Sequence, residues 1–167
     1  MNGDIPMPCS HAMIQENLVT ATADTTLEQA LEIFNQHKIR SVPVVDEDNN
    51  LLGLFNFHQL LMTILPIPIG LGHNLDPLDI SLDHMFGQAE WLSERLHKHL
   101  HRTIGELMIK DLKTVHPETP IGEGVRLLAH YGSPVAVTDE NSNKLVGIVT
   151  SQSVIKVLLD MKSEPNN

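Results

Sequence analysis

Ser41-Val42-Pro43-Val44-Val45-Asp46, followed after a short polar turn by Leu51-Leu52-Gly53-Leu54-Phe55, decides the fold because the chain uses the same pattern twice. The second copy reads Val135-Ala136-Val137-Thr138-Asp139, then Leu145-Val146-Gly147-Ile148-Val149-Thr150. Each is a pair of β-rich runs around an acidic, Asn-containing turn, the signal for two adjacent strands. Upstream of the strands, Thr25, Leu27, Ala30, Leu31 and Phe34 recur 94 positions later as Thr119, Ile121, Gly124, Val125 and Leu128. That spacing follows the i, i+3, i+4, i+7 rule of an amphipathic helix. Downstream, Gly53, Leu60, Leu61 and Ile64 recur at the same offset as Gly147, Val154, Ile155 and Leu158. One residue is lost near Lys38 and one gained in the turn, and loops absorb such changes.

Each half therefore reads as strand, helix, strand, turn, strand, helix. Thr25, with Glu28 three residues on, predicts a capping box for a helix ending near His37. Asn56 predicts the cap of a second helix that Pro66 ends. In the second half Thr119-Pro120 predicts a cap with proline in the first helical position, and a last helix starts from Thr150. So short a unit cannot bury its apolar surface alone, so the halves are expected to pack on each other.

The duplicated order of capped helix, Pro-Val strand, acidic turn, Gly strand and helix resembles the CBS (cystathionine-β-synthase) family, and Thr103-Ile104-Gly105-Glu106-Leu107-Met108 is similar to the start of a repeat. The resemblance implies a mixed α/β (α+β) fold of two β-α-β-β-α repeats in a pseudo-two-fold pair. On this reading residues 1–11 and 163–167 are tails, 12–66 and 103–162 the repeats, and 67–102 a helical insertion.

The resemblance also implies a regulatory module that senses a ligand, often an adenosyl nucleotide such as AMP, ADP, ATP or S-adenosylmethionine, held in clefts between the repeats, and that pairs as a homodimer. The family's nucleotide motif is Gly, an apolar pair, Thr or Ser, two residues, then Asp. Its hydroxyl at a helix start receives phosphate and its Asp holds ribose. Carried over, Thr150 supplies the hydroxyl and Ser153 stands at the Asp position; in the first repeat Asn56 and Gln59 take the two places. Neither repeat keeps the carboxylate. Adenine is expected against apolar strand residues such as Val42, Pro43, Val135 and Ala136, with His37, Lys38 and Arg40 placed to reach phosphates or standing as a solvated basic turn. The missing carboxylates keep open a second reading, a ligand-free scaffold that dimerises and docks a transporter or enzyme.

In the insertion, Met85, Ala89, Leu92 and Leu96 make a helical stripe from Ser81 onward, with Trp91 off it as a candidate contact residue. Glu94, His97 and His101 would share a helix face at i, i+3 and i+7, the arrangement of three metal ligands. Three polar residues on one helix face are usually just solvated, and no metal is expected.

Composition narrows the remaining classes. The net charge of −10, from 21 acids against 11 Lys and Arg, repels phosphate backbones, and no basic patch suggests nucleic acid. The apolar stretch 51–72 carries Asn56, His58, Gln59, Pro66 and Pro68, which fit a strand and helix rather than a membrane span. A lone Cys9 and a start without a basic and apolar leader point to a reducing, cytoplasmic setting. No nucleophile elbow, Gly-rich phosphate loop or HExxH helix appears, so no enzyme and no required cofactor are expected.

Overall fold

The computed structural model describes residues 6–65 and 89–162. In the first half, α1 (Leu27–His37) leads to the antiparallel pair β2 (Ser41–Val45) and β3 (Leu51–Asn56), then α2 (Phe57–Ile64). In the second, α5 (Ile121–Tyr131) leads to β4 (Val135–Thr138), β5 (Leu145–Val149) and α6 (Ser151–Met161). Before α1, Ala21 bridges Val44 in parallel, and before α5, Val115 bridges Val137 in the same way. These are the short first strands of the expected β-α-β-β-α units.

The helix starts differ from the spacing in one instructive respect. Thr25 closes a turn instead of capping α1: its N–H donates to the Thr22 carbonyl at 3.1 Å and its Oγ1 accepts from the Thr22 N–H at 3.3 Å. The cap is Thr26, whose side chain accepts from the Gln29 N–H while the Gln29 side chain accepts from the Thr26 N–H. Thr119 likewise closes a turn on His116, and α5 starts after Pro120 without a side-chain cap. Instead the first N–H of α5, on Ile121, donates to the Met7 carbonyl at 2.7 Å. Backbone carbonyls from elsewhere in the chain thus satisfy donors that a helix start leaves open. The Leu27 and Glu28 N–H groups of α1 do the same, on Arg102 and Leu100.

Those bonds belong to an exchange of lead-in segments. A short 3₁₀ turn (Cys9–His11) and β1 (Met13–Ile14) precede the first repeat in sequence but pack on the second, where Met13 and Ile14 pair with Val149 and Ile148 of β5. Conversely α4 (Ile104–Leu107) packs on the first repeat, and Ile109 bridges Leu54 of β3. The two cores show it directly. Ile104 and Leu107 are buried with Leu27, Ala30, Phe34, Val42, Phe55 and Leu60, while Cys9 and Ala12 are buried with Leu127, Leu128, Val135, Val149 and Val154. Burying a side chain such as Ile104 contributes about 1.5–3 kcal/mol, so each repeat relies on the other's lead-in for its core. A third cluster, Val45, Leu51, Ala136 and Leu145, joins the two strand pairs.

Of the insertion, the described part is α3 (Ala89–His99), and Met85 lies outside the described residues. Leu96 and the following Leu100 pack against the first core. The Arg95 guanidinium lies 5.1 Å from the Trp91 ring centroid, and its Nε donates to the Ile64 carbonyl at the end of α2 at 2.5 Å. Among the described residues, no helix is long and apolar enough to cross a membrane.

Candidate functional site

The exchange creates two clefts related by the internal repeat. One is walled by the end of α1 and start of β2 (Lys38, Arg40, Ser41, Pro43) and by Thr150, Ser151 and Gln152 at the start of α6, with Ile14 and Asn17–Val19 as its third side. The other is walled by Tyr131, Ser133, Val135 and Ala136 and by Asn56 before α2, with Ile109 and Asp111–Lys113 as its third side. Its walls are the repeat counterparts of the first. The clefts differ in size: about 610 Å³ at Thr150 and about 90 Å³ at Asn56. Small-molecule sites typically span about 300–1,000 Å³, so only the first is open to a nucleotide as it stands.

Thr150 is held by a reciprocal cap. Its Oγ1 accepts from the Ser153 N–H at 3.0 Å, while the Thr150 N–H donates to Ser153 Oγ at 3.0 Å. Ser153 Oγ also donates to the Thr150 carbonyl at 3.0 Å. The Thr150 hydroxyl proton is not used by this cap, and the residue faces the cleft at the positive end of an eleven-residue helix. Ser153, by contrast, is absorbed into the cap and does not line the cleft.

The opposite wall is set by backbone. Lys38 closes α1 in the left-handed conformation (φ 55°), which turns the chain so that Lys38 and Arg40 both line the cleft. The Arg40 carbonyl accepts from the Phe57 N–H at 3.2 Å, fixing the entry to β2. Beside it, Ser41 Oγ is withdrawn from solvent and has no hydrogen-bond partner among the described residues. A buried unpaired hydroxyl costs about 1–3 kcal/mol, so this one is poised to gain from a polar group brought into the cleft.

The eleven residues singled out in sequence are thus divided. Thr150, Lys38, Arg40 and Pro43 meet in the large cleft, Asn56, Val135 and Ala136 line the small one, and His37 ends α1 without lining either. Val42 is fully buried in the first core. Gln59 stands in the first turn of α2, its N–H on Asn56 Oδ1 at 2.8 Å, and Ser153 is in its cap. Val42 and Ser153 turn away because alternate strand residues face opposite sides and because a helix N3 side chain returns to its cap. Asn17, Leu18, Val19 and Ser133 are cleft residues that the motif does not mark. A signal for them exists in the pair Met13-Ile14, which recurs 95 positions later as Met108-Ile109.

Glu94, His97 and His101 are not gathered. α3 ends at His99, His101 follows in a turn, and the His97 Nδ1 lies 2.8 Å from the Ser93 carbonyl. Among the described residues no group of three His, Cys, Asp or Glu could hold a metal ion.

Two exchanged α/β repeats with a cleft on either side of their pseudo-two-fold axis define a tandem regulatory-type pair. The chain belongs to the CBS domain family, whose description matches residues 9–65 and 104–160. It is 26% identical over 148 residues to the chloroplastic CBS domain-containing protein CBSX1 of Arabidopsis thaliana, covering 89% of this chain and 62% of that one. The chain therefore spans about three fifths of that relative's length. Among solved structures, CBSX2 of the same plant in complex with AMP superposes with a TM-score of 0.67 at 24% identity, covering 93% of this chain and 98% of that one. The CBS domain pair of protein MJ0100, in complex with 5′-methylthioadenosine and S-adenosyl-L-methionine, gives 0.63 at 20% identity, covering 93% and 98%.

Proposed function

We propose that the chain is a regulatory module that senses an adenosyl ligand in the Thr150 cleft and passes its occupancy to a partner protein. One observation carries this reading: a cleft of about 610 Å³ in which the start of α6, the base of β2 and an exchanged lead-in converge. The fold is shared with pairs whose structures hold AMP, 5′-methylthioadenosine and S-adenosylmethionine. A ligand there touches both repeats at once, so it stabilises whichever arrangement of repeats brings those walls closest. That differential affinity is what a regulatory signal requires. Adenine would sit on Pro43, Ile148 and Leu18, and ribose hydroxyls would meet Ser41, Asn17 or Gln152 in place of the missing carboxylate. Isothermal titration of the full chain with AMP, 5′-methylthioadenosine and S-adenosylmethionine tests it. Saturable binding of at least one is expected, and no heat from any of them at millimolar concentration ends this reading.

The module regulates rather than catalyses, requires no cofactor, and works in the cytoplasm as a homodimer on a transporter or enzyme, without nucleic acid or membrane insertion. The apolar residues that α5 and α6 leave exposed, Val125, Ile155, Leu158, Leu159 and Met161, support self-association. A Leu159→Glu chain should sediment as a monomer where the wild type does not. A scaffold without ligand is the second reading, favoured by the absorption of Ser153 into its cap. Partner capture that is indifferent to every adenosyl compound would support it.

A further inference from the structure

We infer, on the footing of the adenosyl reading above, that the Thr150 cleft selects a phosphate-bearing adenosyl ligand over a sulfonium or uncharged one, with Arg40 setting the preference and one ligand bound per chain.

The charge at the cleft is opposite to that of the chain. With 21 acids in the sequence and a net charge of −10, a random surface cleft would be expected to carry carboxylates. The residues lining this one include Lys38 and Arg40 and no Asp or Glu. Among the described residues neither cation forms an ion pair; Lys38 Nζ reaches only the neutral Asn35 Oδ1, at 3.4 Å. Facing them across the cleft is the first turn of α6, where the Ser151 N–H donates to Ser133 Oγ at 3.3 Å and the Ser153 N–H to Thr150 Oγ1 at 3.0 Å, which leaves the Gln152 N–H and the positive end of the helix dipole for a ligand. Two walls of the same sign favour an anion between them. They disfavour the sulfonium and ammonium of S-adenosylmethionine, which would find no carboxylate there to offset them.

The repeat supplies an internal comparison. In the small cleft Gly132 stands at the place of Lys38, each closing its helix at positive φ, and Ser133 stands at that of Arg40, while Asp111 and Lys113 line the third side. The same architecture there has lost the cations at both of those places, sets the carboxylate of Asp111 against Lys113, and encloses about 90 Å³. Charge and volume therefore single out one cleft per chain. Of the two cations Arg40 is the stronger candidate, because its planar fork matches phosphate oxygens and its carbonyl, just before β2, is held by the Phe57 N–H.

The test is titration calorimetry at low ionic strength on the full chain, wild type and Arg40→Ala, with AMP, 5′-methylthioadenosine and S-adenosylmethionine. AMP is expected to bind with one site per chain and at least tenfold tighter than the other two. Arg40→Ala should weaken AMP about tenfold or more while leaving 5′-methylthioadenosine unchanged, and Arg40→Lys should recover part of the loss. Equal or tighter binding of 5′-methylthioadenosine or S-adenosylmethionine overturns the selectivity and leaves the adenosyl reading standing. An Arg40→Ala chain that loses all three equally overturns the role of Arg40, and two sites per chain overturn the stoichiometry. Absence of binding by all three removes the adenosyl reading and this inference with it.

Discussion

Asn49 and Asn143 clasp the two repeats with the same bond made twice. Asn49 Nδ2 donates to the Leu145 carbonyl at 2.8 Å, and Asn143 Nδ2 donates to the Leu51 carbonyl at 2.7 Å. Their own carbonyls accept in return from the Leu145 and Leu51 N–H groups, at 3.0 and 2.9 Å. The residues are 94 positions apart, the period of the repeat, so the clasp lies across the pseudo-two-fold axis and closes over Val45, Leu51, Ala136 and Leu145.

Breaking the clasp should loosen the pair. Each partly buried hydrogen bond contributes about 0.5–1.5 kcal/mol, so Asn143→Ala should lower unfolding stability by about 1 kcal/mol or slightly more. Asn49 has a left-handed backbone (φ 65°), where alanine is strained by about 1–2 kcal/mol. Asn49→Ala should therefore cost more than Asn49→Gly, which keeps the conformation and loses only the bond. Urea unfolding of the three variants measures this, and equal losses for Ala and Gly at position 49 would contradict it.

Gly53 and Gly147 mark the same strand of each repeat, and both are required by the exchanged lead-ins. A Cβ at Gly53 would lie 2.6 Å from the Ile109 carbonyl oxygen and 2.7 Å from Met108 Sδ. At Gly147 it would lie 2.5 Å from Met13 Cγ and 2.8 Å from the Ile14 carbonyl oxygen. Alanine at either position should destabilise by about 1–3 kcal/mol through overpacking. Gly122, in the exposed first turn of α5, has nothing within 4 Å of its virtual Cβ. Gly122→Ala should stabilise, by up to about 1 kcal/mol, because alanine is the better helix former. Thermal unfolding of the three variants should show two losses and one gain.

These glycines also show where sequence stops being informative. Their recurrence identifies the repeat, as do Phe34 and Leu128 or Leu60 and Val154, because helix and strand periodicities record which face is buried. What crowds a glycine is a contact between distant segments, and periodicity within one element carries no trace of it. The same holds for Cys9, fully buried although it lies in a segment that reads as a tail, and for Thr25, whose turn with Thr22 outcompetes the cap. In the site, Thr150 is legible as a helix start facing a cleft. The division of the other residues between a large cleft and a small one depends on strand facing and on side chains such as Tyr131, which only the packed chain reveals.

The turn after β2 should make part of the stability acid-sensitive. Asp46 Oδ1 accepts from the Asn50 and Asp48 N–H groups, at 2.8 and 3.0 Å, and Oδ2 accepts from Asn50 Nδ2 at 2.9 Å. The Asn50 side chain first, then the backbone donors and nearby Lys144, hold its carboxyl below the ordinary value of 3.8. A carboxyl depressed by folding stabilises above its unfolded pKa, and the contribution is lost as pH falls through the folded one. Wild type should melt above Asp46→Asn near neutral pH, with the gap closing as pH drops below 3.8. A gap that is constant from pH 6 to about pH 2.5 would show that this carboxylate is not coupled to folding.

Thr150 combines a structural and a proposed binding role, and three substitutions separate them. Thr150→Ala removes the cap of α6 and should lower stability by about 1 kcal/mol, whereas Thr150→Ser keeps the acceptor for the Ser153 N–H and should cost little. Ser153→Ala breaks the reciprocal bond to the Thr150 N–H but leaves the cleft lining intact, so it should lower stability without altering affinity. If the Thr150 hydroxyl also donates to a ligand, Thr150→Ala should weaken AMP by about threefold to tenfold while Thr150→Ser binds as wild type. Melting curves and AMP titrations on all three chains decide the matter. Equal loss of affinity in Thr150→Ala and Ser153→Ala would assign the effect to the fraying of α6, and an unchanged affinity in Thr150→Ala would place the phosphate on Arg40 and Lys38 alone.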